Sequence, residues 1–540
     1  MAERDWYFKD YYEILGVSRY ASREEIVQAY RQLSQGFDPG AGGDPGGIIF
    51  KEVSEAHAVL SDDELRAEYD VVRAMVAAGL PPPPVEEPAD EEPAPEAVPR
   101  RPKLGVGGLG ASNWNAAVVA VVVGCSLFLM FGYLFKASCI DNFPKDAYRI
   151  TCYNDLQPLY GERLFDERGE RVFPYIHARS VDEDGNGGAD LTSGSRGAIE
   201  YPVLTGVFMW FTGLFSGDSS SFLRWSALFL APFGLITAYL LARMTGWRAL
   251  LWSLAPAIVL YSFHNWDLLV VAAAVFGIYL WWKGEPIWAA VLFGIGGAFK
   301  AFPIFFLAPL ALDLWIKGDK RRTVRSAIAG GGTALAINLP FMLANFEGWV
   351  ITYTFHQDRG PNYDTLWCTM RDNCLSTPFW EPSDLNKLTA LLTGAFFLAA
   401  LGFGWIRARK EGSYPFLPVC GALLCSFLLW NKVHSPQYAL WILPFFVLIR
   451  VHVLWWVAYA IGDLMVYIGV FRWFYSFAVE QDFPALRLME AGIWTRAALL
   501  LALFVVFLRS SAAHETTSDK RVALKEWLSQ PLRRTPSEQT

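Results

Sequence analysis

Asp155 stands in the run Cys152-Tyr-Asn-Asp-Leu-Gln-Pro-Leu-Tyr160, with Arg163 just beyond it and Glu200-Tyr201-Pro202 further along the same polar segment. A carboxylate held beside a long hydrophobic body is what a catalyst needs to deprotonate a hydroxyl acceptor while a donor lipid stays in the bilayer. A sugar hydroxyl is a poor nucleophile until a positioned base takes its proton, whereas a lipid phosphate leaves as a stable anion without a general acid. One carboxylate with cations nearby is therefore a sufficient set. The competing reading of Asp155 is a solvated loop aspartate, because other acidic residues crowd the same segment. Arg163 and Glu200 either contact the acceptor, hold Asp155, or form a plain loop salt bridge.

A departing phosphate asks for cations. Lys300 lies where one short apolar run ends and another begins, so it either snorkels to lipid headgroups or binds the donor phosphate. His356 and Arg359, in Phe355-His-Gln-Asp-Arg-Gly360, and His434 beside Lys432, in Trp430-Asn-Lys-Val-His-Ser-Pro-Gln-Tyr438, are phosphate or sugar contacts or else ordinary interfacial polar residues. Asp267 in Asn265-Trp266-Asp267 reads first as a helix cap and second as an acceptor contact. Asp182 to Asp190 places oxygen ligands and a glycine as a calcium loop does, yet Ser193 stands where the bidentate glutamate belongs, which favours a flexible acidic loop. No metal or cofactor is expected, and with no Walker loop or dinucleotide fingerprint the sugar donor is expected to be a lipid-linked substrate.

The elements that must position these residues are membrane helices. With 53% hydrophobic and 18% charged residues among 540, the chain reads as a polytopic membrane protein. The net charge of -7 comes largely from the acidic linker and the first loop and implies no nucleic-acid partner. The run from Trp114 to Phe135 is about 33 Å long as a helix and spans a bilayer core, and Arg100, Arg101 and Lys103 before it place the amino terminus in the cytoplasm. Further apolar runs near 220–242, 249–263, 266–282, 286–299, 302–317, 325–343, 386–406, 414–430, 438–449, 453–471 and 492–508 bring the count to about twelve spans, several of them short. Alternate junctions carry the arginines and lysines, so both termini are expected inside and the loops holding Asp155 and His356 outside. Val203 to Phe215 is read as an interfacial helix, because counting it as a crossing would break that alternation. The polar first hundred residues leave no cleaved signal peptide before the membrane region, so the first span directs insertion. Of seven cysteines, Cys139, Cys152, Cys368 and Cys374 fall in outer segments and could pair as Cys139 with Cys152 and Cys368 with Cys374.

Residues 10 to 70 hold Tyr11-Tyr-Glu-Ile-Leu-Gly-Val17, a Ser22 to Glu25 capping box, Ala29-Tyr30-Arg31 and Val53-Ser-Glu-Ala56. This module resembles the J-domain. Where a J-domain carries His-Pro-Asp, this chain has Asp38-Pro39-Gly40, so the resemblance implies the fold and a cytoplasmic partner of unknown identity, without stimulation of a heat-shock ATPase. A proline- and glutamate-rich tether follows. The expected domains are 1–75, a linker over 76–110, the membrane domain over 111–509 and a cytoplasmic tail over 510–540.

Five segments in order resemble bacterial family 87 polyprenyl-phosphate-mannose-type glycosyltransferases of the GT-C fold: Asn154-Asp155-Leu156 to Tyr160 with Arg163; Glu200-Tyr201-Pro202; Asn265 to Leu269; Gly294 to Lys300; and Ser435-Pro436-Gln437-Tyr438 with Trp441. The resemblance implies an all-α GT-C-like bundle in a bacterial cell membrane, with Asp155 as base. It brings Tyr160, Tyr201, Gln437 and Tyr438 into the substrate-binding set with Arg163, Glu200, Asp267, Lys300, His356, Arg359, Lys432 and His434. The implied activity is inverting transfer of a hexose, mannose first, from a polyprenyl-phosphate donor to a lipid or envelope glycan outside the cell. A transporter or flippase of lipid-linked sugars, and a membrane-tethered co-chaperone or scaffold, are the rival readings; charges gathered at span ends and one outsized loop speak against the transporter.

Overall fold

The structure is a computed structural model, described over residues 10–35, 45–77, 111–141, 143, 145–165, 169–178, 198–369, 382–476 and 483–513. The linker, the Asp38-Pro39-Gly40 turn, the Asp182 to Asp190 loop, Cys374 and the tail beyond 513 lie outside the described residues. The chain divides into two compact units, 1–98 and 99–540.

The described residues of the first unit form four helices: α1 Tyr11–Leu15, α2 Arg23–Gln35, α3 Pro45–Leu60 and α4 Asp63–Ala77. Asp10 caps α1 by accepting from the Tyr12 amide, and Gly16 ends it at φ 65, a left-handed position that glycine adopts without a Cβ penalty. The predicted capping box is present: Glu25 accepts from the Ser22 amide at 2.7 Å and Ser22 Oγ from the Glu25 amide at 3.3 Å. Tyr11, Tyr12, Leu15, Ile26, Ala56 and Tyr69 form its core, and Tyr69 Oη accepts from the Tyr11 amide at 2.7 Å.

The described residues of the second unit form helices joined by loops and contain no strand, only the isolated bridges Phe165 with Arg171 and Ile449 with Ala512. In order it comprises α5 Ala111–Ala137, α6 Lys145–Arg149, α7 Leu156–Arg163, α8 Val203–Gly213, α9 Ser219–Thr245, α10 Leu250–Ser253, α11 Pro256–Tyr261, α12 Asp267–Lys283, α13 Pro286–Phe299, α14 Leu307–Ile316, α15 Lys320–Ala344, α16 Phe346–Asp358, α17 Leu366–Thr369, α18 Pro382–Glu411, α19 Phe416–Trp430, α20 Ala439–Leu448, α21 Val453–Ser476 and α22 Phe483–Arg509. Among the described residues, six helices are long and apolar enough to cross a membrane: Asn115–Ala137, Ser219–Ser253, Lys320–Ala344, Pro382–Glu411, Val453–Ser476 and Pro484–Arg509. The other predicted spans are helices too, but short ones, so their lengths do not establish about twelve full crossings. Prolines explain several of the breaks: Pro256, Pro286, Pro303 and Pro436 sit at or next to the first residue of a helical segment, where the missing amide proton costs nothing. The run read as an interfacial helix is the 11-residue α8.

Two features tie the segments around Tyr175 and Glu200 to this body. Tyr175, at φ 64, donates its hydroxyl to the Tyr201 carbonyl at 2.8 Å. Its backbone passes so close to α16 that a Cβ on Gly348 would meet the Tyr175 carbonyl oxygen at 2.0 Å. On α16, Thr352 Oγ1 donates to the Ile199 carbonyl at 2.7 Å and His356 Nε2 to the Glu200 carbonyl at 2.8 Å. The segment 199–201 is therefore held from both sides.

Candidate active site

Asp155 enters the body through its backbone: its amide donates to the His264 carbonyl at 2.8 Å, pinning the start of α7 to the turn between α11 and α12. Its side chain does not cap α7. The carboxylate instead accepts from Asn265 Nδ2 at 2.8 Å, lies 3.9 Å from His264 Nε2, and keeps 22% exposure. A base must be desolvated enough to want a proton and open enough to meet an acceptor, and this side chain is both. Burial pushes the Asp155 carboxyl up to about 6; the Asn265 hydrogen bond and the Lys300 charge work against that rise, and the Glu200 charge with it.

Asn265 is the hub. Its amide donates to Tyr201 Oη at 2.7 Å as well as to Asp155, while its Oδ1 accepts from Lys300 Nζ at 3.2 Å. Lys300 does not snorkel: it is 6% exposed, donates to both Asp267 oxygens at 2.9 Å, and lies over the rings of Tyr201, Tyr438 and Trp441 at 5.2, 5.5 and 5.8 Å. Asp267 is not a cap. It is the first residue of α12, directly after the N-cap Trp266, wholly buried, and also accepts from Trp441 Nε1 at 2.6 Å, because a carboxylate deep in an apolar bundle persists only when paired and hydrogen-bonded. Asp267 thus orients Lys300, and Lys300 orients Asn265.

Arg163 Nε pairs with Glu200 Oε2 at 3.0 Å, with both side chains mostly buried, so this pair braces the loop beside Asp155. Tyr160 turns to packing, its hydroxyl donating to the Ser216 carbonyl at 2.9 Å and its ring 4.9 Å from Phe222. Burial pushes the His356 ring below its ordinary value, leaving a neutral imidazole that holds Glu200. Lys432 donates to the Gln357 and Arg359 carbonyls at 2.9 and 2.7 Å, fixing the end of α16. His434 is buried, with Nδ1 donating to the Leu428 carbonyl at 2.8 Å, and Gln437 is also buried. Tyr438 stacks on Trp441 with centroids 3.8 Å apart, within electrostatic reach of both Asp155 and Arg359. Arg359 is half-buried and reaches Asn362 through one guanidinium nitrogen. The structure thus gathers Asp155, Glu200, Tyr201, Asp267, Lys300, Tyr438 and Arg359, and leaves Tyr160, Lys432 and His434 as supports. A small crevice lies elsewhere, between α11, α20 and α21, with Asp463 and Tyr459 as its polar lining.

Residues 199–430 match the model of glycosyltransferase family 87. Asn265, Asp267, Lys300 and Arg359 fall inside the family 87 region, and Asp155 precedes it. The match supports a membrane glycosyltransferase. Residues 10–70 match the DnaJ domain model. Over 81 residues the chain is 52% identical to chaperone protein DnaJ 1 of Mycobacterium bovis, and 51% identical to chaperone protein DnaJ 2 of Nocardia farcinica, covering 15% of this chain in each case and 20% and 21% of those proteins. The chain thus spans about a fifth of the length of these curated relatives. No solved structure matches it.

Sequence reasoning missed Asn265, His264 and Lys136. Asn265 and His264 adjoin the Trp266-Asp267 segment that drew attention, and their placement at the turn before α12 was the available signal. Lys136 reads in sequence as the polar end of a span.

Cys139 and Cys152 form the expected disulfide, closing a loop of sequence separation 13 that ends three residues before Asp155. A crosslink of that span contributes about 3 kcal/mol. Replacing both cysteines by serine is expected to lower the melting temperature under non-reducing conditions and to remove the part of the wild-type reductant response that this bond carries. Identical melting of the two proteins without reductant would count against a structural role for the bond.

Proposed function

We propose that this protein transfers a hexose, mannose first, from a polyprenyl-phosphate donor to a hydroxyl on a lipid or envelope glycan, on the extracytoplasmic face, with inversion. The observation that carries the reading is Asp155: a carboxyl desolvated enough to sit near 6, oriented by Asn265 and open at one edge. The acceptor oxygen attacks the anomeric carbon, the bond from that carbon to the phosphate oxygen breaks with its electron pair leaving on the phosphate, and the acceptor proton passes to Asp155. Arg359, tied to the protein through a single nitrogen, is the cation for the departing phosphate, and Lys300 supplies a fixed positive field from below. Tyr201 and Tyr438 offer ring faces and hydroxyls to the sugar. The Cys139–Cys152 disulfide supports placing this face on the oxidising side of the membrane. The J-like unit would serve as a docking module for a cytoplasmic partner, and its match to the DnaJ domain supports a chaperone-type one.

Membranes bearing the full chain are expected to move labelled mannose from polyprenyl-phosphate-mannose, and not from a nucleotide sugar, into a lipid- or glycan-bound product. Transfer from the nucleotide sugar alone, or none from any polyprenyl-phosphate hexose, would refute the donor class.

A further inference from the structure

Lys136 is fully buried at the end of α5, where an ammonium must have a purpose or a set of partners. It has three partners for three protons. Nζ lies 2.6 Å from the Tyr153 carbonyl, 3.1 Å from Tyr467 Oη and 3.3 Å from His264 Nδ1. The Tyr153 carbonyl can only accept, and the Tyr467 proton is committed to the Thr151 carbonyl, so that hydroxyl accepts from Lys136. The remaining ammonium proton meets His264 Nδ1.

Two placements of the imidazole proton compete. With the proton on Nδ1, the ring donates to the Tyr153 carbonyl at 3.0 Å, but it then sets one donor against another at Lys136 and turns the bare Nε2 toward the Asp155 carboxylate. With the proton on Nε2, the Nδ1 lone pair lies 3.0 Å from the Tyr153 carbonyl and gives up that hydrogen bond, but it accepts from the cation while the N–H faces the anion across 3.9 Å, so the ring dipole lies along the field between the two charges. Burial and the Lys136 charge both push His264 well below its ordinary value, which keeps a second proton off the ring.

We propose that the Lys136 ammonium fixes the tautomer of His264 so that its Nε2–H faces the Asp155 carboxylate, making Lys136 and His264 positioning residues of the base. Their effect on transfer rests on Asp155 being that base. The charged and titratable groups facing Asp155 are Tyr153 and Tyr148 from the first loop, Glu200 and Tyr201 before α8, His264 from the α11–α12 turn, Lys300 after α13, Tyr438 before α20 and Lys136 from α5. Those facing His264 are Lys136, Lys300, Tyr153 and Tyr261.

The test is NMR of the full-length protein labelled with ¹³C,¹⁵N-histidine, with a His264→Gln variant assigning one signal among the seven histidines. The wild type is expected to show His264 protonated at Nε2. Lys136→Met is expected to move the proton to Nδ1, and Lys136→Arg to leave it on Nε2. A wild-type ring protonated at Nδ1 overturns the proposal even if Lys136→Met fails to fold, and so does a ring unchanged in Lys136→Met. Transfer by Lys136→Met should fall about tenfold or more, with the acid limb of its pH profile moved to higher pH, because the carboxylate loses both a facing donor and a nearby cation. Lost turnover with an unmoved acid limb would reduce Lys136 to a structural residue. Full activity of Asp155→Asn would sink the catalytic reading alone, since the tautomer is read without substrate.

Discussion

Replacing Asp155 with asparagine is expected to lower transfer about a thousandfold while making the folded protein more stable at pH 7. The two effects have one cause. The fold holds this carboxyl at about 6, against an ordinary 3.8, chiefly because burial disfavours the charge. Keeping it ionised at pH 7 costs the folded state about 2–3 kcal/mol. The sign follows from the raised value: the penalty is absent below pH 4, grows as the pH climbs from about 4 to about 6, and is complete above. Asparagine removes the charge, retains an oxygen for the Asn265 amide, and has no basic site for a proton. Its melting temperature should therefore exceed that of the wild type at pH 7 and match it at pH 4. Wild-type transfer should rise about tenfold per pH unit below 6 and level off above. An aspartate that merely braced its loop would show the reverse, destabilisation on substitution with activity falling only as the fold is lost. Thermal unfolding and a radiolabelled transfer assay on the same preparations separate the two, and retained turnover in the variant removes Asp155 from the chemistry.

The parts of this site readable in the sequence are those whose chemistry is local. Asp155, Glu200 and Arg163 are charged residues in a polar loop, and the pairing of the last two is one of the alternatives their spacing leaves open. Ser22 and Glu25 announce their cap because a capping box is confined to four consecutive residues. Lys300 and Asp267 are different. Each has a plausible local role, as a snorkelling lysine and as a helix cap, and both roles fail because two elements separated by 33 positions bring the charges within 2.9 Å. Lys136 is concealed for the same reason, since its partners lie on the first loop, the α11–α12 turn and α21. The count of about twelve membrane crossings is not reached by helix length alone. An apolar run of 14 residues such as Pro286–Phe299 has the composition of a span without its length, and hydropathy alone does not distinguish a short buried helix from a full crossing.

Cutting the buried pair at Asp267 carries the second largest expected effect. In Asp267→Ala the Lys300 ammonium keeps the Asn265 oxygen at 3.2 Å and the faces of Tyr201, Tyr438 and Trp441 but loses its anionic partner, in a site where it is 6% exposed, and Trp441 Nε1 loses its acceptor. An uncompensated charge of this kind destabilises by about 3–5 kcal/mol. The double variant Asp267→Leu with Lys300→Met removes both charges and should recover most of the stability, because apolar side chains of similar volume replace buried ion pairs at little cost. It should not recover transfer. Without Lys300, Asn265 Oδ1 loses a donor and its amide is free to turn from Asp155, and the site loses a cation near the departing phosphate. Stability restored with turnover still lost would mark the pair as the support that aims Asn265 at the base, whereas recovery of both would mean the site works without it.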